Sequence, residues 1–231
     1  CIPGNAGTDE IATNISADIN DFDEIYKIVL KLNIELIVVG PEIPLVNGIV
    51  DYFEKKNIKI FGPNKKCSQL EGSKFFMKNI CKKYNIPSAK YFEISDINQI
   101  EKFLSSVSFP VVVKSDGLAA GKGVLVSSDI EEADNFISSI FAGKIGTVKS
   151  KVIIEEYLEG KEMSVFFAID KKTIKYIGSA QDYKRAFDHN RGPNTGGMGS
   201  FSPSPLLTKI TLDKIVNKII KPTIEYMKEI G

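Results

Sequence analysis

Val111-Val112-Val113-Lys114-Ser115-Asp116-Gly117-Leu118-Ala119-Ala120-Gly121-Lys122-Gly123-Val124 is the stretch on which the fold turns. A β-branched run ends in a lysine, a glycine-rich segment with a second lysine follows, and a new apolar run begins at Val124. β-Branched side chains suit a pleated strand and glycines suit a tight turn, so the stretch predicts strand, hairpin loop, strand. Glycines let backbone N–H groups approach an anion closely, and lysines neutralise its charge. The composition is that of a flap over a triphosphate. It is not the G-x-x-x-x-G-K-[ST] loop, because the glycine spacing is shorter, Gly123 follows Lys122, and a strand rather than a helix comes next. An ordinary glycine-rich hairpin accounts for the loop alone equally well.

Around this stretch, β-prone runs follow one another at 111–114, 124–128, 152–158, 164–170 and 174–180, with helical spacing at 97–104 and 131–141. That order predicts an α+β module on an antiparallel sheet. Residues 192–205, with four Gly and three Pro, read as a long loop. Residues 212–227 read as a helix bent at Pro222.

The first third is organised differently. In 21–32, Ile25, Ile28, Val29 and Leu32 recur at helical spacing, with Asp21 as the N-cap. Residues 34–39 read as a buried parallel strand, 45–56 as a helix, 59–61 as a second strand, and 68–84 as helix-rich. Alternating helix and strand predicts a doubly wound α/β unit. Ligands of such sheets bind beyond the carboxyl ends of the strands, where Gly40-Pro41-Glu42 and Gly62-Pro63-Asn64 stand.

Composition narrows the function classes. The chain has 231 residues, enough for one or two domains. Thirty Lys+Arg against 29 Asp+Glu give a net charge of +1, which argues against a broad basic surface for nucleic acid. No apolar run approaches the ~18 residues of a membrane span. Three cysteines without a C-x-x-C pair indicate neither a disulfide framework nor a zinc site, and predict a reducing cytoplasm. The single histidine, His189, lies in a polar stretch and reads as a surface residue. The chain opens on Cys1 rather than Met, which predicts a piece of a longer protein.

Two further segments carry chemistry. In Ile153-Ile154-Glu155-Glu156-Tyr157-Leu158-Glu159-Gly160-Lys161-Glu162 an apolar strand runs into acidic residues. Such an edge offers backbone groups to a flat base and a carboxylate to ribose hydroxyls, although strand-end acids are more often simply solvated. Gly192-Pro193-Asn194-Thr195-Gly196-Gly197-Met198-Gly199-Ser200 is long and polar enough to bind a substrate, and Gln181-Asp182-Tyr183-Lys184-Arg185 adds charge nearby in sequence.

Together with Pro3-Gly4-Asn5-Ala6-Gly7-Thr8, Val39-Gly40-Pro41-Glu42, Ile60-Phe61-Gly62-Pro63 and Gln69-Leu70-Glu71-Gly72-Ser73-Lys74, these segments resemble the glycinamide ribonucleotide synthetase family of the ATP-grasp superfamily, in the family's order. The resemblance implies α/β plus α+β architecture. A partial Rossmann-like pre-ATP-grasp domain over 1–66 would lack its first strand and loop. An incomplete ATP-grasp domain over 67–231 would follow, with a small mobile lid subdomain at about 88–166. It implies an ATP-dependent carbon–nitrogen ligase of purine biosynthesis that joins glycine to 5-phosphoribosylamine through a glycyl phosphate, with ATP and Mg²⁺ or Mn²⁺. Small-molecule partners only, no nucleic acid, no membrane, and a monomer or weak dimer are the corresponding expectations.

Roles follow by position in the resemblance. Lys74 and Lys114 would contact the nucleotide. Gly117, Gly121, Lys122 and Gly123 would close over the phosphates, with Lys122 as the catalytic charge. Glu155, Tyr157 and Leu158 would read the adenine, and Glu162 the ribose. Pro41, Glu42, Asp182, Lys184, Arg185, Asn194, Thr195, Gly196, Gly197 and Met198 would serve the glycine or phosphoribosylamine side. The family's Gly-Ser-Gly-Gly-Arg-Glu type loop has no counterpart before Pro3. Its Glu-x-Asn-x-Arg-Phe-Gly-Asp segment, which carries the metal ligands, is expected beyond residue 231, so this chain alone is expected to be inactive. Another ATP-grasp ligase acting on a different carboxylate, and a non-catalytic nucleotide-binding module, remain as alternatives.

Overall fold

The computed structural model describes residues 1–104, 107–119, 123–146, 151–170, 172–188 and 191–230. The chain divides into two compact units, Cys1–Met77 with Ile230–Gly231, and Lys78–Glu229.

In the first unit a short helix α1 (Ala6–Asp9) is closed by a capping box, in which Thr8 N–H donates to Asn5 Oδ1 at 3.0 Å and Asn5 N–H donates to Thr8 Oγ1 at 2.8 Å. Helix α2 (Phe22–Lys31) starts at Asp21, whose carboxylate accepts the Glu24 N–H at 2.9 Å, as the sequence predicts. Its Ile25 and Val29 are buried with Ile49, Val50 and Phe53 in this unit's core. Strands β1 (Ile37–Val38) and β2 (Ile60–Phe61) pair in parallel. The expected strand over 34–39 is shorter because its partner offers only Ile60 and Phe61. The helix expected over 45–56 is instead two, α3 (Glu42–Asn47) and α4 (Ile49–Glu54). Gly48 between them holds φ +97°, a left-handed conformation that ends one helix and starts the next. Helices α5 (Gln69–Gly72) and α6 (Lys74–Lys83) follow.

The second unit is built on an antiparallel sheet. It contains β3 (Tyr91–Ile94), β4 (Val111–Ser115), β5 (Val124–Ser127) and β6 (Val152–Glu156), in the order β3-β6-β4-β5. A 3-10 turn (Ile97–Gln99) leads into α7 (Ile100–Leu104), and α8 (Ile130–Phe141) follows β5. Side chains alternate across a strand. Val111 and Val113 of β4 and Val152 and Ile154 of β6 therefore face one side, where they form a core with Ala133, Ile137 and Ile140 of α8. Lys114 and Glu155 stand on the opposite face.

Strand β6 stops at Glu156, not at Leu158 as the sequence suggests. Glu156 is the register partner of Val111, and Pro110 before it has no N–H with which to extend the ladder. A second sheet holds β7 (Ser164–Ile169), β8 (Ile174–Asp182) and β11 (Ser200–Phe201) in the order β11-β8-β7, and β9 (Arg185–Phe187) pairs with β10 (Arg191–Asn194). The stretch 192–205, expected to be loop throughout, thus contributes to two strands, because residues 194–201 fold back onto 181–185. The tail consists of α9 (Lys209–Ile215), a π-helical turn (Val216–Ile220) and α10 (Lys221–Ile230). Its irregularity precedes Pro222 rather than sitting at it. The proline ring removes the donor and crowds the carbonyl of Lys218, four residues back, and the wider turn absorbs that loss. Among the described residues no helix is long and apolar enough to cross a membrane.

Candidate functional site

Register places the polar groups of the sheet's second face. Glu155 of β6 lies opposite Tyr91 of β3 and Val112 of β4, so Lys114, two residues along β4, is its diagonal neighbour. The Lys114 ammonium donates to Glu155 Oε2 at 2.7 Å. From the other side Lys78 of α6 stands 2.9 Å from Glu155 Oε1. That ion pair lies outside hydrogen-bonding direction, so Oε1 takes no directed hydrogen bond among the described residues. Lys78 instead donates to Ser88 Oγ at 2.6 Å and to the Ala89 carbonyl at 3.1 Å, and its ammonium lies 5.2 Å from the centre of the Tyr91 ring.

Burial separates the roles. The Lys78 side chain is 2% exposed and that of Glu155 7%, whereas Lys114 is 27% exposed and faces solvent in part. An unpaired charge buried this deeply would cost several kcal/mol, so Glu155 needs at least one of the two lysines beside it. Nearby, burial pushes the Cys81 thiol up, against the opposing pull of Lys78 and Ser88. Burial likewise raises the Tyr91 phenol, with Glu93 adding to it.

Lys114 ends at a hairpin. It pairs with Val124 across the strands, and the Ser115 N–H donates to the Gly123 carbonyl at 2.8 Å. Gly117 holds φ +87°, and a Cβ at Gly123 would come within 2.7 Å of the Ala119 Cβ. One glycine thus meets a backbone requirement and the other a close approach across the loop. The hairpin expected from the sequence is present; Gly121 and Lys122 lie outside the described residues, as does His189. Tyr157 and Leu158 follow directly on β6 and are exposed.

A second cluster gathers the other polar candidates. Glu162 Oε2 lies 3.1 Å from Lys184 Nζ, and Asp182 Oδ2 lies 3.8 Å from the same ammonium. Arg185 Nη1 donates to the Gly192 carbonyl at 2.7 Å. Thr195 N–H donates to the Lys184 carbonyl at 2.6 Å, Gly197 N–H to Thr195 Oγ1 at 3.0 Å, and Met198 N–H to the Tyr183 carbonyl at 2.7 Å. Asp182, Lys184, Arg185, Thr195, Gly197 and Met198 are thereby brought together, with Gly196 between them in the loop and Asn194 paired to Arg185 in register. Glu162 joins this cluster through Lys184 rather than the Glu155 network. Pro41 and Glu42 open α3 and Lys74 opens α6, all three in the first unit.

Sequence reading misses Lys78, Ser88 and Tyr91. A signal for Lys78 exists: it follows Phe75 by three residues in α6, on the stripe that Phe75 buries, where a charge requires a partner. No local signal marks Ser88 or Tyr91. Among the described residues no group of three or more His, Cys, Asp or Glu side chains is placed to hold a metal ion.

Comparison with known proteins places this architecture in context. The family model described as "Phosphoribosylglycinamide synthetase, N domain" matches residues 1–71, and "Phosphoribosylglycinamide synthetase, ATP-grasp (A) domain" matches 72–231. A chloroplastic phosphoribosylamine–glycine ligase of Arabidopsis thaliana is 45% identical over 235 residues, covering 100% of this chain and 44% of the relative. The crystal structure of phosphoribosylamine–glycine ligase from Thermotoga maritima superposes with a TM-score of 0.80 at 33% identity, over 99% of this chain and 55% of that one. The biotin carboxylase domain of 2-oxoglutarate carboxylase from Hydrogenobacter thermophilus, solved with magnesium ADP and bicarbonate, shares the fold at 20% identity and a TM-score of 0.70, over 93% of this chain and 48% of that one. The chain spans about half the length of the relatives it matches. On the two family models, which between them run the length of the sequence, this chain belongs to the phosphoribosylglycinamide synthetase family.

Proposed function

We propose that the protein to which this chain belongs is an ATP-dependent carbon–nitrogen ligase that joins glycine to 5-phosphoribosylamine. The observation that carries the reading is a partly exposed lysine, Lys114, held by a buried glutamate at the base of a glycine-rich hairpin. A glycine carboxylate oxygen attacks the terminal phosphorus of ATP, and ADP leaves. The amine of phosphoribosylamine then attacks the carbonyl carbon of the glycyl phosphate, phosphate leaves, and the amine gives up a proton. Phosphoryl transfer of this kind depends on positioning and charge neutralisation.

In this reading Lys114 and Lys74 bind the nucleotide phosphates. The hairpin amides at Gly117 and Gly123, with Gly121 and the charge of Lys122, cover them. Tyr157 and Leu158, just past the end of the β6 ladder, offer backbone groups to the adenine, with Glu155 beside them and Glu162 for the ribose. The Asp182, Lys184 and Arg185 cluster with residues 194–198, together with Pro41 and Glu42, serves the glycine and phosphoribosylamine side. Nucleotide and metal use fits the fold's relatives, one of which was solved with magnesium ADP. A reducing compartment such as the cytoplasm suits Cys1, Cys67 and Cys81, which are thiols rather than disulfides.

The test is ADP release by the full-length protein. It is expected to require both glycine and phosphoribosylamine. Release that proceeds with other carboxylates and ignores glycine would replace this reading with a different ligase of the same fold.

A further inference from the structure

Lys78 takes no part in the nucleotide contacts proposed above. At 2% side-chain exposure it cannot touch a ligand, and its donors go to Ser88 and Ala89. Its charge goes to Glu155 Oε1, the oxygen that takes no directed hydrogen bond. The other oxygen, Oε2, is held by Lys114. Two lysines thus share one carboxylate, and the trio carries one formal positive charge. Without Lys78 the remaining pair would be neutral, and the attraction of Lys114 for an incoming anion would be offset by the carboxylate 2.7 Å away.

We propose that Lys78 is a positioning residue that offsets Glu155 from the buried side and so leaves the charge of Lys114 available to the phosphates of a ligand. Glu155 fixes where the Lys114 ammonium stands, and Lys78 keeps that fixing from cancelling its charge. The inference rests on the nucleotide reading above and deepens it by naming what makes Lys114 an effective cation. A purely structural lysine, present only to satisfy Ser88 and Ala89, would act on stability and not on anion affinity.

The test is a double-mutant cycle in the full-length protein, with inorganic tripolyphosphate as the probe. This anion has no adenine, so any contact of Glu155 with the base drops out. Dissociation constants would be measured by calorimetry at low ionic strength for wild type, Lys78→Met, Glu155→Gln and the double variant. The affinity is expected to follow the formal charge of the trio. Lys78→Met should bind about tenfold more weakly than wild type, Glu155→Gln more tightly, and the double variant should regain most of the lost affinity. Lys78→Met binding like wild type, or a double variant as weak as Lys78→Met, overturns the proposal. Should Lys78→Met not fold, the remaining three proteins decide it, since a double variant far weaker than wild type is equally fatal. Wild-type binding of ATP, measured alongside, separates the two levels: ATP binding with the wrong order among variants sinks this inference alone, and no ATP binding sinks the nucleotide reading with it.

Discussion

Glu229, near the end of α10, accepts hydrogen bonds from the Tyr84 hydroxyl and from Lys83, the latter at 3.0 Å. Tyr84 and then Lys83 hold its carboxyl below the usual carboxylate range. A depressed acid stabilises the folded state above its unfolded value and loses that contribution as pH falls through the folded one. The melting temperature of wild type should therefore exceed that of Glu229→Gln at neutral pH. The difference should vanish on acidification through and below about pH 4, the ordinary glutamate range. A gap that persists unchanged at low pH would remove the ionic tie from the account. Lys114 offers a second test at this scale. If Lys114 binds the nucleotide phosphates as proposed, Lys114→Met removes a charge-assisted contact of about 1.5–3 kcal/mol, and ATP should bind roughly ten- to a hundredfold more weakly. The fold should hold, because Lys78 still faces Glu155.

At the scale of elements, α8 shows how local rules and packing divide the work. Asp129 caps it, its carboxylate accepting the Glu132 N–H at 2.7 Å. Asp129→Ala should lower stability by about 1 kcal/mol in urea unfolding. Ile137, fully buried between α8 and the sheet, contributes through packing instead. Ile137→Ala should cost about 2–5 kcal/mol, and a loss no larger than that of the cap would show a core able to collapse around the cavity. Both effects were open to sequence reading, since Asp129 precedes a helical period and Ile137 lies on its apolar stripe. The division at Gly48 was not. A glycine within helical spacing does not by itself end a helix, and it is the folded backbone that sets Gly48 at φ +97°.

At the scale of the whole molecule, binding and stability are linked. A ligand at a hundred times its Kd adds about 2.7 kcal/mol to the folded state. Saturating ATP should therefore raise the melting temperature of this chain by roughly 5–10 °C. The shift should be lost in Lys114→Met at the same ATP concentration. An equal shift in both proteins would place the nucleotide away from the β4–β5 hairpin.

The sequence by itself determined most of the helices and strands between residues 21 and 180, their order, the hairpin with its lysine and glycines, and the motifs of the family. Each of these rests on information a few residues wide: the period of apolar side chains, the turn residues, the spacing within a motif. Tertiary structure alone decided where strands end and what the charges face. Strand β6 stops at Glu156 because the neighbouring strand begins after a proline, and residues 194–201 pair because 181–185 lie beside them. Glu155 read as an acid at a strand end, of the kind usually left in water. It is buried between Lys78 and Lys114, which come from 77 residues before it and 41 before it in the chain. A carboxylate's environment is set by whatever the fold brings within a few ångströms, and no pattern local in sequence encodes those neighbours.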